Sequence, residues 1–384
     1  MSIALTDSKK KNYILYIDLL SSVINKTEPP VLPEDFNWSY ARRIAERNSV
    51  LNLIGYCVDK VNVKPPKKLY DYIINNLNYE ILKESSQLYD VEQVLKAFDE
   101  ARIRNVPLKG YFIKHMYPQS DFRTMGDIDI LVDRKSFGKI RKIFIEKGYE
   151  DLKVIKSKEI QFHKDLIHFE IHSDLSENYE GYFDDIWDKV TLRNGYEYSY
   201  EMSPEDFYVY MIYHCGKHFN NGGIGIRMIM DIYIYLSGRS KLDFDYINSE
   251  LQRMNLSVFE KKCRELAFNW FSDEKTEING LGEFVVYCST FGDRKTNFYQ
   301  SGKKTGKAFW LKQVFVPYRT MRRRYAYLEK APVLLPFSWA QFWFTRIFLH
   351  RDLNLKSGLA DRASNLSPQD AEFIDNLTTE LGIK

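Results

Sequence analysis

The sequence predicts an α+β protein, with a small mixed-sheet core flanked by N-terminal and C-terminal helical subdomains. Three observations carry this. Residues 13 to about 103 keep helical spacing of apolar residues with few glycines, and residues 105 to about 200 change to short alternating runs cut by Gly and Pro. The helical pattern then returns and persists to the end, which divides the chain at 1–104, 105–200 and 201–384.

The N-terminal part opens with Ile14, Ile17, Leu20 and Val23 on one helical face, and the Pro-rich stretches EPPVLPED and VKPPKKL separate the helices that follow. In the middle, VPLKG reads as a short strand ending at Gly110, YFIKHMY as a helical turn and GDIDILVD as a strand of period two. A helix over RKSFGKIRKIFIEKGY closes at Gly148, and EIQFHKD and LIHFEIH form two strands joined by a tight turn. The C-terminal part begins with Ser203 as N-cap and Pro204 at the first helical position, followed by four helical runs to about residue 271. The Gly/Lys/Thr-rich stretch DRKTNFYQSGKKTGK is expected to be a long mobile loop, and Ser367-Pro368 starts a last helix.

Composition narrows the function classes. A chain of 384 residues at 44% hydrophobic is too long for one small core and too apolar for disorder. With 55 Lys+Arg against 52 Asp+Glu the net charge is +3, which excludes a uniformly basic nucleic-acid coat. The N-terminus lacks the apolar region of a signal peptide, and the longest apolar stretch is interrupted by Pro336, Gln341 and Arg346, so a soluble protein is expected. Cys57, Cys215, Cys263 and Cys288 are widely spaced without a CxxC pair, which fits a reducing cytoplasm.

The chemistry concentrates in Arg123-Thr-Met-Gly126-Asp127-Ile128-Asp129. On a strand, Asp127 and Asp129 share a face, ~7 Å apart, while Ile128, Ile130 and Val132 face the core. Adjacent carboxylates repel, and a hard cation such as Mg²⁺ or Mn²⁺, held by carboxylates and substrate phosphates, relieves that. Glu170, in the strand carrying His168 and His172, completes a three-carboxylate cluster if the two strands are neighbours, and such a cluster can hold two metal ions for phosphoryl-type transfer. Gly126 leaves room for a ligand against the backbone. Lys109 and Gly110 stand where a strand meets a helix N-terminus, a place suited to a triphosphate, and Arg123 can add positive charge.

These motifs, together with Tyr117-Pro118 and a late segment at Tyr325-Ala326-Tyr327-Leu328 and Leu334-Leu335-Pro336, resemble the uncharacterised bacterial nucleotidyltransferases. Those belong to the DNA-polymerase-β-like superfamily, alongside the toxin-type enzymes of abortive-infection systems. The resemblance implies Asp127, Asp129 and Glu170 as metal ligands, with Glu170 a further choice of general base, and a nucleoside triphosphate (NTP) as co-substrate. It departs from the superfamily in carrying Lys109-Gly110 where a Gly-Gly or Gly-Ser pair is usual. The acceptor implied is an RNA end, a protein hydroxyl or a small molecule. The rival from another class is a non-catalytic nucleotide- or RNA-binding module with a degenerate site.

Other features are open to two readings. His214 and His218 have the i, i+4 spacing of zinc ligands, but no HExxH glutamate stands between them. With His172 and Lys217 they line a cleft, or they pack between helices. Asp231 lies in an apolar run as a buried acid whose partner the sequence does not name, Arg227 one turn earlier being the local candidate. Residues 291–356 hold 14 Lys+Arg against three Asp+Glu, centred on Arg322, Arg323 and Arg324. That stretch is read as a nucleic-acid surface, a membrane-surface patch or a solvated face.

Overall fold

Five strands form one mixed sheet, in the order β1-β2-β5-β4-β3, with only β2 and β5 parallel. The computed structural model describes residues 3, 7–152, 158–175, 182–239, 241–272, 280–290, 292–305, 315–316, 318, 321–322, 325, 327–344 and 366–383. The strands are β1 (Asn105–Pro107), β2 (Ile128–Val132), β3 (Glu150–Asp151), β4 (Glu159–Lys164) and β5 (Ile167–His172). Asp165, at a φ of 51°, makes the tight turn between β4 and β5 that the sequence predicts. Two further two-residue strands, β6 (Thr191–Leu192) and β7 (Tyr200–Glu201), pair with each other.

Before the sheet come α1 (Asp7–Asn25), α2 (Trp38–Arg47), α3 (Leu51–Cys57) and the long α4 (Lys67–Glu100). Inside it, α5 (Gly110–Lys114) follows β1 and α6 (Phe137–Glu146) follows β2, and α7 (Ile186–Lys189) follows β5. After it run α8 (Pro204–Asn220), α9 (Ile226–Ser237), α10 (Phe244–Arg253), α11 (Ser257–Phe271), α12 (Gly280–Tyr287) and α13 (Arg294–Thr305), with later helices at Leu335–Phe344 and Pro368–Glu380. Ser203 caps α8 by accepting from the Asp206 N–H at 3.0 Å, and Ser367 caps the last helix in the same way at 3.1 Å, as their sequence positions predict.

Two apolar cores result. Every second residue of β2, namely Ile128, Ile130 and Val132, joins Phe162, Phe169 and Ile171 from β4 and β5 against α4 and α6. The Phe144 and Phe162 rings stack at 4.0 Å in its centre. The larger core unites α1, α2 and α3 with α8, α9, α11 and α12, so helices from both ends of the chain bury the same surface. Leu131, on the opposite face of β2, packs into this helical core and brings α8 and α9 over the sheet.

One expectation is corrected. The stretch read as a mobile loop is helical over Arg294–Thr305. Asp293 accepts from the Lys295 and Thr296 N–H groups at 3.0 and 3.1 Å, and Thr296 and Gln300 are buried. A helix cap and a buried face outweigh the weak propensity of its Gly, Asn and Thr residues. Gly306 and Lys307, at the end of that stretch, lie outside the described residues.

Candidate functional site

Parallel pairing of β2 with β5 sets Asp129 opposite Glu170 and Leu131 opposite His172. Neighbouring strands lie ~4.8 Å apart, so side chains paired this way on one face touch. The His172 Nε2 stands 2.8 Å from Asp129 Oδ1 and 3.7 Å from Glu170 Oε2. Asp129, Glu170 and His172 each offer a ligand atom, all within 4.8 Å of one another, and among the described residues no other His/Cys/Asp/Glu trio lies so close. Asp127 lines the same cavity from the loop before β2 but is not part of that trio.

Lys109 lies across the group, with its Nζ 2.9 Å from Asp129 Oδ1. Its φ of 45° is unusual for a residue with a side chain and turns the backbone from β1 into α5. Burial opposes charge on this ammonium, but the Asp129 carboxylate more than offsets it and holds Lys109 above the usual lysine range. Asp129 is 4% exposed. Burial pushes its carboxyl up, yet Lys109 and the hydrogen bond from His172 together hold it well below the usual carboxylate range. Glu170 goes the other way: burial, then repulsion from Asp127, Asp129 and Glu159, raises it to about 7. Gln161, its neighbour on β4, donates to Glu170 Oε1 at 2.8 Å.

The cavity above these groups measures ≈ 320 Å³. Lys109, Gly110, Arg123, Gly126, Asp127, Asp129, Glu170, His172, His214, Lys217 and His218 all line it, so the fold brings residues from the middle of the chain and from α8 to one cavity. At Gly110 an added Cβ would lie 3.0 Å from Met125 Cγ and 3.3 Å from Arg123 Nη1, so a side chain there would crowd the loop leading to Asp127. His214 and His218 face each other, Nε2 to Nε2 at 3.0 Å. Burial, then the positive Lys109 and His218, press His214 well below the usual histidine range. Among the described residues they have no third ligand close enough for a zinc site.

Arg123 is placed differently from a free phosphate ligand. Its Nε and Nη2 donate to Asp231 at 3.0 and 2.8 Å, and Tyr117 donates to the same carboxylate at 2.7 Å. Asp231 is thus partnered by Arg123 across 108 residues, a partner that the sequence does not reveal. Arg227 donates to the Thr124 carbonyl at 3.2 Å, and its charge also acts on Asp231. Asn52 and Gln87 bind the Asp121 and Met125 carbonyls, so side chains from α3, α4 and α9 clamp the loop before Asp127.

Sequence reasoning missed Glu159 and Gln161. Their alternation on β4 was legible, but the register that sets them opposite His172 and Glu170 was not. Of the basic segment, Arg322 is half-buried and does not line the cavity, while Arg323 and Arg324 lie outside the described residues.

Fold and site together define an α+β protein with an acidic, cation-competent cluster on the floor of a cavity closed by helices. The chain belongs to a family of uncharacterised nucleotidyltransferases, whose model matches residues 34–272. That range covers the sheet, the cluster and α8 to α11, whereas the late segment from Tyr325 to Pro336 falls beyond it. No curated protein matches the sequence. Among the described residues no helix is long and apolar enough to cross a membrane.

Proposed function

We propose that the protein moves a nucleoside monophosphate from an NTP to an acceptor hydroxyl, releasing pyrophosphate, with Mg²⁺ or Mn²⁺ bound at Asp127, Asp129 and Glu170. The observation that carries this reading is the register of Asp129 against Glu170 at the base of a cavity that also holds Lys109, Lys217 and Arg227. The donor set fits such an ion, because its oxygens suit a hard cation and Glu170 is raised to about 7 first by burial and then by the negative Asp127, Asp129 and Glu159 beside it. When bound, a divalent cation neutralises phosphate charge and favours ionisation of the attacking hydroxyl.

The protein's own groups divide the remaining work. Asp129 stays ionised and orients whatever cation faces it, Lys109 or a metal. Glu170, set beside Asp129 in the same cavity, is the carboxylate placed to take the acceptor proton. Lys109 is within reach of both Asp129 and the cavity, so it can exchange its carboxylate for a phosphate oxygen as substrate enters. His214, Lys217 and His218 form the opposite wall and meet the acceptor or the nucleotide.

The test uses α-labelled NTPs with Mg²⁺ or Mn²⁺ and three acceptor classes: RNA, protein from a cell extract, and small hydroxyl compounds. Label transfer that Asp129→Asn abolishes supports the reading and names the acceptor class. Binding of all four NTPs with transfer to none of the acceptors would instead establish the non-catalytic binding module.

A further inference from the structure

A second hollow, of ≈ 600 Å³, opens at the C-terminal end of α9. Leu236, Leu242, Phe244 and Phe268 form its apolar wall, and Arg239, Lys241 and Arg264 are its charged groups. Among the described residues no carboxylate lines it. Two of the cations are held in place by rings: Arg239 lies 4.6 Å above Tyr235 and Arg264 lies 5.2 Å above Phe244. Arg264 is neutralised by Glu260, with Nε to Oε1 at 2.8 Å. Arg239 and Lys241 have no ion pair among the described residues, and the Arg239 Nε is buried without a hydrogen-bond partner. Asp243 caps α10 through the Tyr246 N–H at 2.9 Å, Glu205 accepts from the Asp243 N–H at 3.2 Å, and neither carboxylate lines the hollow.

A hollow with an apolar wall, ring-held guanidinium groups and two cations without an ion pair among the described residues is complementary to one chemical class. We propose that it binds an amphiphilic organic anion, a carboxylate or phosphate head on an aliphatic or aromatic body. The head meets Arg239 and Lys241, and the body lies against Phe244, Phe268 and the two leucines. The site is separate from the acidic cavity, although one helix serves both: Arg227, Met228 and Asp231 of α9 line the cavity, and Leu236 lines the hollow. Met228 and Leu236 are ~12 Å apart along the helix axis.

Calorimetry on the full chain tests this with octanoate, octyl phosphate, inorganic phosphate and 1-octanol. Octanoate or octyl phosphate should bind, the tighter of the two identifying the head group, with inorganic phosphate and octanol at least tenfold weaker. Arg239→Gln should weaken binding about tenfold, the effect of one charge-assisted hydrogen bond. Lys241→Gln, at an exposed position where folding is not at stake, should weaken it severalfold and reduce its salt dependence. The proposal is overturned if neither organic anion binds, if inorganic phosphate binds as tightly as they do, or if both variants bind like wild type. Loss of binding in Lys109→Gln with none in the other two would place the ligand in the acidic cavity and equally overturn it.

Discussion

Asp129 accepts from two nitrogen groups at once, Lys109 Nζ at 2.9 Å and His172 Nε2 at 2.8 Å, while among the described residues Glu170 beside it has the amide of Gln161 as its one hydrogen-bond donor. Their opposite shifts make the cluster sensitive to pH. Because Glu170 is raised to about 7, the folded protein keeps a proton there that the unfolded chain releases nearer pH 4.5, so this group's contribution to stability declines as pH rises through that window. A metal ion must displace the same proton. Mn²⁺ affinity, followed by titration calorimetry, should therefore climb between pH 5 and 7 and level off above, and Glu170→Gln should flatten the curve; an equal slope in the variant removes Glu170 from the ligand set. The Arg123–Asp231 pair supports a second prediction. Asp231→Asn replaces a buried carboxylate that receives Arg123 and Tyr117, and should lower unfolding stability by about 3 kcal/mol in urea denaturation. Strand alternation sets Asp129 and Glu170 on the faces where the structure has them, whereas Asp127 precedes β2 and reaches the cavity from the loop. Asp231 could not be paired, since its partner is 108 residues away and a plausible arginine stands one turn before it.

Helix ends show where local chemistry suffices and where it does not. Ser203-Pro204 and Ser367-Pro368 combine a capping hydroxyl with a proline whose missing N–H is harmless in the first turn, so both starts could be read directly. The start of α13 carries a capping side chain too, in Asp293, but no proline follows it, and the glycine, lysines and threonines after it have the composition of a loop. What stabilises α13 is tertiary: Thr296 and Gln300 are buried, and the Asp293 N–H binds the Gly222 carbonyl at 2.8 Å. Asp293→Ala removes the side-chain acceptor for two free N–H groups and should cost about 1–2 kcal/mol, read as a lower urea midpoint at unchanged slope. An unchanged midpoint would mean that the buried face alone sustains the helix. The β4–β5 hairpin was legible for the opposite reason, as a short turn joining two alternating strands fixes its own pairing.

The net charge of +3 conceals an acidic site in the sheet and a basic stretch near the C-terminus, and the apolar residues are likewise divided, between a sheet core and a helical core. Periodicity marks which face of a helix is apolar but not what it packs against, so the sharing of one core by α1 to α3 and α8 to α12 required the structure. The cavity depends on both cores, its floor on the sheet and its opposite wall on α8 and α9, yet the proposed metal ligands belong to the floor. This separates two substitutions of similar cost. Phe144 lies in the sheet core, stacked on Phe162 and edge-on to Phe169 of β5, whereas Phe271 lies in the helical core beside Tyr233. Each is fully buried, and replacing either with Ala should cost about 3–5 kcal/mol. Under conditions where both variants remain folded by circular dichroism, Phe144→Ala should weaken Mn²⁺ binding severalfold, because β5 and with it Glu170 lose their support. Phe271→Ala should bind Mn²⁺ like wild type. Equal weakening in both would show that the helical layer, and not the sheet alone, holds the ligands in place.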